Sequence, residues 1–136
     1  MYALGKHLLV ELRECNGEIL NDLKTVTDLM VNAAKLAQAT VIDVSFHEFN
    51  PFGISGMVII AESHLSIHTW PEYNYAAVDI FTCGNTIKPD VAADYLIDNF
   101  QSKNHSIVEM KRGFISSKEM SFTNKLLGFD LERMVS

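Results

Sequence analysis

Four strand-like segments follow one another between residues 41 and 82, with only short turns between them. This close spacing of strands restricts the possible folds more than any other feature of the sequence. Residues 41–49 and 75–82 alternate apolar and polar side chains, which is typical of strands with one buried face. Residues 56–62 and 64–70 read as two further short strands. Strands joined by such short turns pair antiparallel, because a parallel crossover needs about a dozen residues or more. The centre of the chain therefore predicts an antiparallel sheet.

Two segments with helical periodicity lie on either side of this run. From Asn21 or Asp22 to about Ala39, apolar residues recur at three- and four-residue steps and form one stripe, with Asn or Asp as a suitable N-cap. The segment Pro89–Phe100 predicts a second helix, because proline is favoured in a first turn and its apolar residues again share a face. Each stripe requires an apolar surface to pack on, which the sheet provides.

Single strands at 3–12 and 105–112 complete the pattern, which runs strand, helix, several strands, helix, strand. The expected class is α+β, a two-layer sandwich with a mostly antiparallel sheet and two main helices on one face. A length of 136 residues predicts a single domain, 1–136. The tail from about Gly113 shows little periodicity, and its role stays open.

The composition and charge of the chain argue against several classes of binding partner. The net charge of −6, from 11 Lys and Arg against 17 Asp and Glu, argues against a nucleic-acid surface and an anionic-membrane surface. The longest purely apolar run, 57–61, is far too short to span a bilayer. With no signal-peptide layout and only two cysteines, we expect a reducing, cytoplasmic location. A chain this small has difficulty building a deep cleft alone, so an enzyme of this size is expected to need a second copy.

Residues able to perform chemistry are concentrated between Phe49 and Gly84. Cys83 and His68 could be a nucleophile and its base, and Cys83 could equally be a small buried residue at a strand end. His64 and His68 would lie about 13 Å apart on a strand, too far to share a metal ion. No Cys or acidic residue completes a ligand set, so no metal site is predicted.

Four further residues are compatible with a purely structural role as well as with a functional one. Ser55, between two glycines, is compatible with a plain turn residue. Glu72 follows a proline, where a solvated loop acid is common. Trp70 and Phe49 are compatible with core or interface aromatics. Residue chemistry alone leaves these alternatives open.

Three separated motifs resemble the short prokaryotic form of S-adenosylmethionine decarboxylase. They are LGKHLLVELREC at 4–15, FNPFGISG at 49–56 and ESHLSIHTWPEYNYAAVDIFTCG at 62–84. The likeness holds in order and spacing over roughly residues 3–112. It implies a lyase that decarboxylates S-adenosylmethionine and supplies aminopropyl groups for spermidine synthesis.

The resemblance also implies an internally made cofactor. Decarboxylation leaves a carbanion that no ordinary side chain stabilises, so a carbonyl cofactor is needed. In the family pattern the Ser63 hydroxyl attacks the carbonyl carbon of Glu62, and the peptide bond becomes an ester. Elimination then separates residues 1–62 from residues 63–136. Loss of ammonia leaves a pyruvoyl group at position 63, which binds the substrate as a Schiff base.

The remaining family roles match single residues of this chain. His68 would take the proton lost in the elimination, and Ser55 would assist processing by a hydrogen bond to the oxyanion. Cys83 would return a proton to the substrate carbon after CO2 leaves. Phe49 would stack on the adenine, and Glu72 would accept hydrogen bonds from the ribose hydroxyls.

The family places its active site between two chains, so the resemblance implies a homodimer with shared sites. One chain would supply position 63 and Cys83, and the other would supply Phe49, Ser55, His68 and Glu72. Glu11 and His7 lie in the first motif, where we expect at most a substrate-side role. Asn74 stands where family members often have glycine, and we expect its turn to survive because Asn adopts the left-handed conformation.

Two other functions stay open. A pyruvoyl-dependent arginine or ornithine decarboxylase would keep the processing residues and be free to change Phe49 and Glu72. Both are present, which favours the nucleoside substrate. A non-catalytic α+β ligand-binding domain would not be cleaved, and it has no need for Glu62-Ser63 together with His68.

Overall fold

A computed structural model of the chain describes residues 2–116. Its strands are β1 (Tyr2–Arg13), β2 (Thr40–Glu48), β3 (Ile54–Ala61), β4 (Ser63–Trp70), β5 (Tyr75–Cys83) and β6 (Asn104–Ile115). Its helices are α1 (Gly17–Leu20), α2 (Leu23–Leu36), α3 (Pro89–Asn99) and a 3₁₀ turn at Pro71–Tyr73. Within this part of the chain the strands form one sheet in the order β2-β3-β4-β5-β1-β6, and each neighbouring pair is antiparallel. The predicted α+β class is confirmed.

Local signals explain where the helices begin. The Asp22 side chain accepts a hydrogen bond from the backbone N–H of Thr25, which caps α2. The predicted helix to Ala39 was too long, because α2 ends at Leu36. Helix α1 has only four residues, capped by Asn16, and is too short to give a periodic pattern in the sequence.

One face of the sheet packs against the helices and forms the core. Alternate residues of the central strands are fully or almost fully buried there, because successive side chains of a strand point to opposite faces. They include Leu8, Val10, Leu12, Val58, Leu65, Ile67, Val78 and Ile80. Helix α2 adds Val26, Met30, Ala33 and Ala34 to the same core. The two-layer sandwich follows from this one-sided burial.

The edge strands depart most from the predicted pattern. A bulge between Val41 and Asp43 interrupts the alternation of β2 and leaves Ile42 61% exposed. Farther along β2, the Phe46 ring crosses Gly56, where an added Cβ would lie 1.9 Å from the ring. Only glycine fits at that position of β3.

At the other edge, β6 continues to Ile115, beyond the predicted end at residue 112. The predicted tail therefore includes the last residues of a strand, starting at Gly113. Residues 117–136, which make up the rest of that tail, lie outside the described residues. The prediction of one domain over 1–136 includes them and stays a prediction.

Candidate active site

The β3–β4 hairpin carries the predicted cleavage point. Ile60 pairs with Ser63, so the connection between the strands is tight and Glu62 lies at its end. The carbonyl oxygen of Glu62 accepts a hydrogen bond from the backbone N–H of Cys83 at 3.2 Å. Because Cys83 ends β5, the neighbouring strand holds the carbonyl group that precedes Ser63.

The hydroxyl group of Ser63 lies beside an imidazole. Its Oγ is 3.3 Å from Nδ1 of His64. Burial holds the pKa of His64 below its ordinary value, His7 and Arg112 add to this effect, and Asp79 opposes it. The His64 ring is therefore neutral at neutral pH and can accept a proton. The sequence motifs gave no role to His64.

The thiol of Cys83 is half-buried at the end of β5, the strand whose backbone holds the Glu62 carbonyl. Burial raises the pKa of Cys83, and the carboxylate of Glu62 raises it further. The group is thus a protonated thiol at neutral pH, which suits a proton donor and not a thiolate nucleophile. We call Glu62, Ser63, His64 and Cys83 the Ser63 end of the sheet.

A second group of predicted residues lies where β4 finishes. Ser55 and His68 are directly paired across β3 and β4, and Ser55 Oγ lies 2.7 Å from Nδ1 of His68. This hydrogen bond holds the imidazole ring on the face of the sheet that the helices leave open. The serine predicted to assist processing therefore contacts the predicted proton acceptor.

The predicted substrate-binding residues lie beside that pair. Phe49 follows β2, is 48% exposed and meets the ring of His47 edge-on at 4.5 Å. Glu72 is exposed in the 3₁₀ turn after β4. Trp70, 40% exposed, stacks on Tyr75 with 5.4 Å between ring centroids. We call Phe49, Ser55, His68 and Glu72 the His68 end of the sheet.

The two ends do not meet within one chain. Ser63 and His68 are five residues apart on β4, which at the rise of a strand is about 16 Å. His68 is paired with Ala77, six residues before Cys83 on β5. A nucleophile–base pair of Cys83 and His68 within one chain is therefore wrong. Ser63 and His68 of one chain do not contact each other, as expected if the two residues act in different halves of a shared site.

The middle of the open face holds the polar residues of the first motif. His7 Nε2 lies 2.9 Å from Asp79, and the Tyr75 hydroxyl donates a hydrogen bond to Glu11. Burial and then this bond to Glu11 raise the pKa of Tyr75 to about 12. His7 and Glu11 thus have protein partners between the two ends, and their substrate-side role stays a prediction.

Three other features of residues 2–116 concern binding. A cavity of about 600 Å³ lies between the starts of β1 and α3 and the end of β6, and none of the predicted site residues lines it. In the same residues, no group of three His, Cys, Asp or Glu side chains could hold a metal ion. The described helices include none that is long and apolar enough to cross a bilayer.

A family model, curated relatives and a solved structure each match most of this chain, and all of them carry the name of the same enzyme family. A family model described as S-adenosylmethionine decarboxylase matches residues 6–113. An S-adenosylmethionine decarboxylase proenzyme from Thermodesulfovibrio yellowstonii is 62% identical over 132 residues, 97% of this chain and 98% of the relative. A proenzyme of the same name from Clostridium kluyveri is 53% identical over 113 residues, 83% of this chain and 90% of the relative. The crystal structure of the Aquifex aeolicus adenosylmethionine decarboxylase is similar, with a TM-score of 0.81 and 34% identity over 86% of this chain and 97% of that one.

Proposed function

The chain belongs to the S-adenosylmethionine decarboxylase family, and we propose that it decarboxylates S-adenosylmethionine with a pyruvoyl group made from its own Ser63. The relatives named above are proenzymes, so they are made as precursors. None of those names refers to arginine or ornithine, and these alternative substrates are not favoured. A cytoplasmic location stays a prediction.

The observation that carries the proposal is the hydrogen bond on the Glu62 carbonyl. Attack of Ser63 Oγ on that carbonyl carbon puts negative charge on its oxygen. The backbone N–H of Cys83 already donates to this oxygen at 3.2 Å. A donor in place before the charge develops lowers the barrier without any rearrangement. The residues around Ser63 thus fit the formation of a pyruvoyl group at that position.

The same end of the sheet also supports the decarboxylation step. The pyruvoyl group would supply the electron sink that the substrate carbanion needs. The protonated thiol of Cys83, next to the cleavage point, is positioned to return a proton to the substrate carbon.

The His68 end supplies groups that suit a nucleoside. The exposed Phe49 ring offers an apolar face for a base, and aromatic faces also attract a sulfonium cation. The exposed carboxylate of Glu72 can accept two hydrogen bonds from neighbouring ribose hydroxyls. Both groups lie at the end of the sheet that holds His68, and Ser63 begins β4 at the other end, about 16 Å from His68.

This separation supports a homodimer with two shared sites. The open face of the sheet carries exposed apolar side chains, which are Leu9, Met57, Ile59, Val108 and Met110. A second copy related by a two-fold axis would cover them and run its β4 antiparallel to the first. The Ser63 end of one chain would then meet the His68 end of its partner. Each site would contain both halves of the machinery.

Cleavage would leave two interleaved fragments. Residues 1–62 contain β1, β2 and β3, and residues 63–136 contain β4, β5 and β6. Strand β1 lies between β5 and β6, and β3 pairs with β4. Three sets of strand hydrogen bonds, between β3 and β4, β1 and β5, and β1 and β6, would hold the fragments together with the shared core after the peptide bond is lost.

Intact mass spectrometry tests the proposal. The purified protein should give two masses, residues 1–62 and a pyruvoyl-blocked 63–136, and it should release CO2 from S-adenosylmethionine but not from arginine or ornithine. A Ser63→Ala variant should stay one chain without activity, whereas Ser106→Ala, on the exposed strand β6, should be cleaved normally. A single full-length mass from active wild-type protein would overturn the cleavage mechanism.

A further inference from the structure

His64 immediately follows the residue that is proposed to become the pyruvoyl group. Its Nδ1 lies 3.3 Å from Ser63 Oγ, and within residues 2–116 Ser63 Oγ has no other side-chain hydrogen-bond partner. His68, to which the motifs assign the later elimination, is about 16 Å farther along the same strand. We propose that His64 is the catalytic base that takes the Ser63 hydroxyl proton in the first covalent step of self-cleavage. This inference rests on the proposed self-processing function.

The His64 ring is held in place by its strand and by an aromatic neighbour. It lies on β4 between its pairing partners Ile59 and Phe81. The ring meets Phe81 edge-on, with 5.9 Å between centroids and an interplanar angle of 83°. A fixed ring keeps Nδ1 near the hydroxyl group, as a base that acts on a neighbouring nucleophile requires.

The surrounding charges favour the neutral ring. His7 faces it from β1, Arg112 from β6 and Asp79 from β5, and Asp79 is engaged by His7 at 2.9 Å. Arg112 lies over the Phe81 ring at 4.6 Å. Burial together with His7 and Arg112 outweighs Asp79 and lowers the pKa of His64. A neutral imidazole with its ring proton on Nε2 has a free lone pair on Nδ1.

Ester formation by this route conserves atoms and charge. The Oγ–H proton of Ser63 passes to Nδ1 of His64 as Oγ forms a bond to the carbonyl carbon of Glu62. The N–H of Cys83 stabilises the oxyanion. The bond from that carbon to the Ser63 nitrogen then breaks, and His64 returns the proton to the departing amine. The products are an ester and a free amine, and no other reactant is needed.

Two histidines would then serve two steps. His64, from the same chain, would act in ester formation. His68, from the partner chain, would act in the later elimination. The two steps can be separated by chemistry, because hydroxylamine at neutral pH cleaves an ester rapidly. Among the peptide bonds it attacks the Asn16-Gly17 bond, slowly, and a cut there gives fragments of different mass.

The test uses full-length precursor made by cell-free translation, in a His68→Ala background that stops at the ester. In hydroxylamine this variant should split into residues 1–62 and 63–136. Adding His64→Asn, which keeps a hydrogen-bond acceptor near Nδ1 but removes the base, should slow that splitting about 100-fold. His105→Asn, at an exposed histidine of β6, is the matched control and should leave the rate unchanged.

Three results would overturn the assignment of His64. They are splitting at the background rate in the His64→Asn protein, a wild-type cleavage rate in His64→Asn alone, and an ester that accumulates in His64→Asn alone. A thermal unfolding midpoint equal to that of the background shows that slow splitting does not come from misfolding. Failure of the proposed function looks different, because wild-type protein itself would then remain uncleaved.

Discussion

The two ends of the sheet differ in chemistry and in burial, as the two halves of the proposed shared site should. At the Ser63 end, Ser63 and Cys83 are half-buried, and a backbone hydrogen bond from β5 fixes the reacting carbonyl. At the His68 end, Phe49 is 48% exposed, and His68 and Glu72 face solvent. Bond-breaking groups need fixed geometry and little water, whereas groups that receive a substrate or a partner must be accessible. The difference in burial follows that division.

The strand β4 links the two halves, since it begins at Ser63 and ends at Trp70. A single chain cannot fold a straight strand back on itself to bring its ends together. Two chains can do so, because a two-fold axis perpendicular to the strand places the start of one strand beside the end of its copy. The separation within a chain is therefore the reason why the proposed site would need a partner chain.

The largest expected effect comes from removing the thiol at the Ser63 end. Cys83→Ala should lower the rate of decarboxylation by about 10²–10⁴, because the proton donor is lost. Self-cleavage should continue, since the backbone N–H of residue 83 holds the Glu62 carbonyl. Gel analysis and CO2 release measure the two steps separately. Cys15→Ala, at the buried cysteine, is the control, and a Cys83→Ala protein that stays uncleaved would contradict the account.

The raised pKa of Cys83 predicts the pH dependence of decarboxylation. A thiol whose pKa lies above its ordinary value stays protonated to higher pH. The rate should therefore fall only as pH rises through this raised pKa, above the range of an ordinary thiol near 8.5. A profile of kcat against pH on the processed enzyme provides the measurement. An alkaline fall centred below that range would contradict the assignment of the proton donor.

Changes at the His68 end should be smaller and should affect binding. Phe49→Ala and Glu72→Gln should each raise KM about tenfold, the loss expected for one stacking contact or one hydrogen-bonding carboxylate, and leave cleavage intact. Steady-state kinetics with S-adenosylmethionine measure this. Phe52→Ala removes a ring of the same loop that is 43% exposed and has no proposed role, so its KM should not change. Equal effects of Phe49→Ala and Phe52→Ala would contradict the assignment.

The smallest effect concerns the turn after Glu72. Asn74 has a φ of 52°, which confirms the expected left-handed conformation. Asn74→Ala should cost about 1 kcal/mol of unfolding free energy, while Asn74→Gly should be close to neutral. Thermal unfolding of the two variants compares them directly. A larger loss in the glycine variant would mean that the Asn74 side chain stabilises the turn by its contacts.

The sequence predicted the elements well because alternation and helical stripes are local signals. It also placed the six strands and two main helices within a few residues of their observed bounds. Helix α1 was not predicted, because four residues are too few to show a helical period. The bulge at Ile42 was not predicted either, since it depends on how the edge strand β2 pairs with β3.

The candidate site residues were predicted from the motif resemblance, because residue chemistry alone left their roles open. Spacing along β4 already separates Ser63 from His68, but the contact between Cys83 N–H and the Glu62 carbonyl depends on the register of β5 against the hairpin. The contact between the side chains of His64 and Ser63 cannot be predicted from the sequence either. Adjacent residues of a strand normally point to opposite faces, and only the local geometry after the tight turn brings these two side chains within 3.3 Å.

Complementation between two inactive variants tests the shared site most directly. A tagged Ser63→Ala chain is co-expressed with an untagged His68→Ala chain, and mixed dimers are recovered by the tag. One site of each mixed dimer then has an intact Ser63 end and an intact His68 end. The account predicts cleavage of the His68→Ala chain and the appearance of decarboxylase activity. A Ser55→Ala chain paired with a His68→Ala chain is the control. Both substitutions lie at the His68 end, so the His68 end of every site in the mixed dimer carries one of them. Mixed dimers of Ser63→Ala and His68→Ala that stay uncleaved and inactive would contradict the account.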